Sequence, residues 1–106
     1  MAKYLITASY TADGVKGVLK GGGTARVDAV RSMIGGLGGK LESLYFAFGD
    51  VDVYAIADLP DNVAAAAIGL AVSASGLTAA KTTVLLTPAE IDEAAKRQVD
   101  YTPPGK

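Results

Sequence analysis

The sequence predicts an α+β fold of the ferredoxin-like, split βαβ type. A four-stranded antiparallel sheet carries helices on one face in the order βαββαβ, and a short C-terminal helix follows. Three observations lead there. Segments of strand and helix period alternate along the chain in that order. The two halves echo one another, since YLITASYTADGVKGVL and VYAIADLPDNVAAAAI both run strand, acid-marked cap, helix. Between the second and third strands Gly49-Asp50 leaves room for a hairpin but not for the crossover that a parallel pair requires.

Residues 3–10, KYLITASY, are rich in β-branched and aromatic types and form the first strand. Thr11 caps the helix that follows, Asp13 lies in its electropositive first turn, and Val15, Val18 and Leu19 give it an apolar face. The run Gly21-Gly22-Gly23 breaks this helix, because each glycine costs about 1 kcal/mol in a helix interior. Thr24 restarts it, with Val27, Val30, Ile34 and Leu37 on one stripe, and the glycines from Gly35 to Gly39 end it.

KLESLYFAF, residues 40–48, is the second strand, Gly49-Asp50 the turn, and VDVYAIADL, residues 51–59, the returning strand. Asp61 caps the next helix, with Val63, Ala67, Ile68, Leu70 and Ala71 facing inward and Gly76 closing it. Residues 77–86 make the fourth strand. TPAE, residues 87–90, starts a short last helix with Thr87 as cap, Pro88 at its first position and Glu90 completing a capping box. One domain thus spans residues 1–97, and residues 98–106 form an extended tail.

Both faces of the sheet are apolar. Val51, Val53, Ala55, Ala57 and Leu59 share one face of the third strand, and Asp52, Tyr54, Ile56 and Asp58 the other. In the second strand Leu44, Phe46 and Phe48 oppose Leu41, Tyr45 and Ala47. A sheet with one wet face alternates more cleanly. One face packs on the helices, and a second copy of the sheet is the economical cover for the other, so the expectation is a homodimer closed into an α/β barrel.

Composition excludes much chemistry. The chain has 106 residues, 50% hydrophobic and 20% charged, with a net charge of −1 and its Lys and Arg spread from Lys3 to Lys106, so it offers no nucleic-acid footprint. It holds no Cys and no His, which removes disulfides, thiolate and imidazole metal sites, and every Ser-His or Cys-His nucleophile pair. No cofactor and no metal site is expected. The N-terminus lacks a signal-peptide pattern and the apolar window 63–72 is too short to span a bilayer, so a cytoplasmic protein without membrane contact is expected.

The YLxxxSY first strand, the SLYFAFGDVDVYAIADLPDNVAAAA centre and the VLLTPAEIDEA ending resemble the GYD domain family, of the dimeric α+β barrel superfamily, over about residues 3–97. At the second hairpin the family's signature reads Gly49-Asp50-Val51-Asp52, with Gly49 and Asp52 matching and Val51 in place of the usual aromatic. The resemblance implies the fold and the dimer. Related barrels include cofactor-independent monooxygenases, isomerases, haem enzymes and ligand-sensing modules, so it implies no single activity.

The glycine clusters LKGGGTAR and IGGLGGKL fit neither phosphate-loop pattern and follow helices, so they read as helix breaks and caps; free amides beside Lys20 and Arg26 leave a weak anion nest as the alternative. Asp50 is turn chemistry. Asp52 either satisfies a backbone or side-chain partner at the hairpin end, or acts as general base or ligand anchor in a barrel pocket. Tyr54 and Tyr45, on strands that pair, are candidate proton donors or pocket walls. Thr7, Ser9 and Thr83 either ladder within the sheet or orient a ligand. Two functions follow. One is a non-catalytic oligomeric module with a small-molecule-binding, structural or regulatory role. The other is a cofactor-independent enzyme, oxygenase- or isomerase-like, acting on a small apolar substrate with Asp52 as base.

Overall fold

The computed structural model describes residues 1–106. Its elements are β1 (Ala2–Tyr10), α1 (Ala12–Gly21), α2 (Gly23–Gly36), β2 (Lys40–Phe46), β3 (Val53–Leu59), α3 (Asn62–Ala74), β4 (Thr78–Leu85) and α4 (Pro88–Lys96). The strands form one antiparallel sheet in the order β2-β3-β1-β4, as the ferredoxin-like fold requires. No helix is long and apolar enough to cross a membrane.

Local chemistry sets the helix starts. The Thr11 hydroxyl accepts from the Gly14 amide at 3.2 Å, and the Asp61 carboxylate from the Ala64 amide at 2.9 Å. Thr87 and Glu90 form the full capping box, Thr87 N–H donating to Glu90 at 2.9 Å and Glu90 N–H to Thr87 at 3.1 Å. The break between α1 and α2 falls at Gly22, whose φ of 84° is open to glycine and strained for other residues. Gly14 serves a different need: a Cβ there would collide with the Leu77 carbonyl, so its absence lets α1 lie against the chain entering β4.

The core lies between the sheet and α2 and α3. Tyr4, Ala55, Ala57, Leu59 and Leu41 from the strands meet Ile34, Ala65 and Ile68 from the helices. The buried Tyr4 hydroxyl donates to Asn62 Oδ1 at 2.6 Å, so the core leaves that polar group satisfied.

Four local expectations are corrected. The β2–β3 connection is a six-residue loop, 47–52, closed by a hydrogen bond from Ala47 N–H to the Asp52 carbonyl, so β3 begins at Val53. A two-residue primed turn needs positive φ at its glycine, and Gly49 does not adopt it. A bulge between Leu41 and Ser43 puts Leu41 and Leu44 on the same, helix-facing side of β2. In α3 the inward stripe is Ala65, Ile68 and Val72, while Val63 and Leu70 face out. In α1, Gly14 and Val18 turn inward, leaving Val15 and Leu19 exposed.

Candidate functional site

Register places the candidate residues on the sheet face that no helix covers. Across β2-β3-β1-β4, one row runs Tyr45, Tyr54, Thr7, Lys81, and the next Ser43, Ile56, Leu5, Thr83. A third row holds Lys40, Asp58, Lys3 and Leu85, and Ser9 faces Ala79 at the far end. Tyr45, Tyr54, Thr7, Ser9 and Thr83 therefore share one surface. Tyr45 and Tyr54 are direct cross-strand partners, 73% and 45% exposed. With Leu5 and Ile56 they make an apolar centre, and the lysines and Asp58 stand at its margins.

Asp52 stands elsewhere. The β1–β3 ladder ends at Ala8 opposite Val53. One residue further, the Asp52 amide donates to the Ala8 carbonyl at 2.9 Å. The Asp52 carboxylate then accepts the Tyr10 amide, also at 2.9 Å. The side chain takes the place of the next ladder carbonyl, so Asp52 ties the 47–52 loop to the end of β1. It makes no hydrogen bond with Tyr45 or Tyr54, and the expected strand face shared by Asp52, Tyr54 and Ile56 is not formed, because Asp52 precedes the strand. Asp50 lies exposed on the same loop.

A group that sequence reasoning passed over lies at the opposite end of the open face. Lys3 Nζ donates to Glu42 at 2.9 Å and to Asp58 at 3.0 Å, bridging β2, β3 and β1. The Glu42 carboxylate, and after it that of Asp58, hold the Lys3 ammonium above its ordinary pKa of 10.5. The sole sequence signal was that Lys3 and Asp58 occupy outward positions of two strands. Their contact becomes visible only once the register is known.

A cavity of about 460 Å³ lies on the other side of the molecule, among α1, α2 and α3. Gly17, Gly21, Ala25, Ala29 and Val72 leave it open, and Arg26 lies at its wall. None of Thr7, Ser9, Tyr45, Asp52, Tyr54 or Thr83 lines it. At the glycine break beside it the Gly22 amide already donates to the Val18 carbonyl, so the anion nest lacks that donor. No three His, Cys, Asp or Glu side chains converge in a way that could hold a metal ion.

The open face thus offers aromatic and aliphatic contact with hydroxyls at its edges. Asp52 lies off it, and the face's own carboxylates, Glu42 and Asp58, are engaged by Lys3. The family model of the GYD domain matches residues 4–95, nearly the whole chain. No curated protein and no solved structure matches it.

Proposed function

The chain belongs to the GYD domain family, and from that premise we propose that it is a non-catalytic module. In this reading it assembles with a second copy over the open sheet face and holds a small, largely apolar molecule between the two sheets. The observation that carries it is the composition of that face: two exposed tyrosines side by side over Leu5 and Ile56, with Thr7, Ser9, Ser43 and Thr83 as its aliphatic hydroxyl groups. Such a surface is costly to leave in water and suits either a second apolar sheet or an apolar ligand. The Asp52 carboxylate, the chain's candidate base, is occupied by the Tyr10 amide.

The test has two parts. Light scattering at micromolar concentration should give the mass of a dimer or a larger even-numbered assembly, and a stable monomer overturns the reading. Small aromatic and aliphatic compounds should then raise the melting temperature of the wild type and lose that effect in Thr7→Val/Thr83→Val. Stabilisation that survives those substitutions places the ligand off this face.

A further inference from the structure

The C-terminal segment presents a physical contradiction within a single chain. α4 has a complete capping box and a proline at its start, yet none of its residues is buried and it makes no extensive contact with any other element, as α1, α2 and α3 do. Every residue from Pro88 to Lys106 is exposed. An isolated helix shorter than about 12 residues is marginal in water even with good caps, so a nine-residue helix needs a surface to lie on. It carries the stripe for one, Ile91, Ala94 and Ala95, with Leu86 before it and Val99 and Tyr101 after it, all exposed.

Its own body is not that surface. The molecule measures 57 × 32 × 23 Å with a radius of gyration of 17.0 Å, where a compact chain of this length has about 13 Å. The accessible surface is 7387 Å², against roughly 5,500 Å² for a folded monomer of 10.7 kDa. The excess exceeds the ~800 Å² that each partner contributes to an ordinary interface. Charge argues against other occupants, because Glu90, Asp92 and Glu93 outnumber Lys96 and Arg97 on the helix and would repel an anionic lipid surface or a nucleic acid.

We infer that residues 86–101 are an exchange arm: they leave the end of edge strand β4 and pack on the body of the second copy. The inference rests on the self-assembly proposed above and adds to it. The sheet face brings two copies together, and the arms strap them. Each chain donates its arm to the other, so the contact is closed and self-complementary.

Two experiments test it on the full chain. The protein has no cysteine, so Gln98→Cys can be labelled cleanly with a benzophenone maleimide and irradiated. The expected product has twice the chain mass, with the adduct on residues 2–85 of the other copy. An adduct within one chain, between two arms, or none at all overturns the inference. Second, Ile91→Asp/Val99→Asp should weaken the dimer at least tenfold in a dilution series by sedimentation velocity, since each apolar side chain withdrawn from an interface costs about that much. Neither side chain touches the core, so the circular dichroism of the body should not change. A wild-type dimer with an equally tight variant removes the arm and leaves the sheet-face assembly standing. A monomeric wild type removes both.

Discussion

At Asp52, a residue whose sequence position suggests catalysis is held in place by three main-chain links. Its amide, carbonyl and carboxylate each hold a different strand end or loop amide. Asp52→Ala leaves the Tyr10 amide without its charged acceptor and should cost about 1.5–3 kcal/mol. Asp52→Asn keeps an oxygen in place and should cost about half as much. Urea denaturation at one fixed protein concentration is the measurement, because any self-association makes the midpoint concentration-dependent. An alanine variant as stable as the wild type would show the carboxylate to be free for chemistry and would revive the general-base reading. The two functional alternatives for Asp52 could be written from the sequence, but the choice between them could not. It depends on where β3 begins, and that depends on whether Gly49 adopts a positive φ, which no residue pattern announces.

Among the elements, what was legible is what is locally determined. Thr11, Asp61 and Thr87 cap helices because their short polar side chains reach amides three residues on, and the apolar period identifies all four strands. What was illegible depends on partners. α3 carries no charged residue over its thirteen positions, so no polar stripe marks its outer side, and Val63 and Leu70 could be assigned inward as readily as Ala65 and Ile68. The bulge at Leu41/Ser43 likewise exists only in relation to β3. The candidate face was legible only in pieces: Thr7, Ser9, Tyr54 and Thr83 stood out as separate residues, and the register is what puts them on one side.

α4 carries a prediction of its own. Hydrogen bonds from the Thr87 backbone, and then its side chain, hold the Glu90 carboxyl below its ordinary pKa of 4.5. A carboxyl depressed in the folded helix stabilises it above the unfolded value, and the contribution is lost as pH falls through the lower, folded value. The arm's helical chemical shifts by NMR should therefore be constant from neutrality down to about pH 4.5 and decay below it, before the sheet responds. Glu90→Gln should flatten that response. Decay that persists in the glutamine variant would assign it to another group.

For the whole molecule, only 10 of 106 residues are buried, and two unrelated surfaces, the sheet face and the arm, each lack a cover. The core is satisfied by itself, so these are the two surfaces on which the proposed assembly rests. The sheet face makes the sharper claim, because a charge discriminates between its two possible environments. On a water-exposed face, Tyr54→Lys is a surface substitution and should change stability by less than about 0.5 kcal/mol. Beneath a second sheet the same lysine must be desolvated, and the acids at the margin of that face, Glu42 and Asp58, are already engaged by Lys3. Tyr54→Lys should therefore abolish the dimer by light scattering while circular dichroism still reports the folded body, with a melting temperature below the wild type's. Tyr45→Lys, on the outer strand beside it, should act in the same direction but more weakly, since an edge position lets the ammonium reach water. If both variants remain dimeric with unchanged melting, the two tyrosines face solvent in the assembly and the interface lies on the helices or the arm instead.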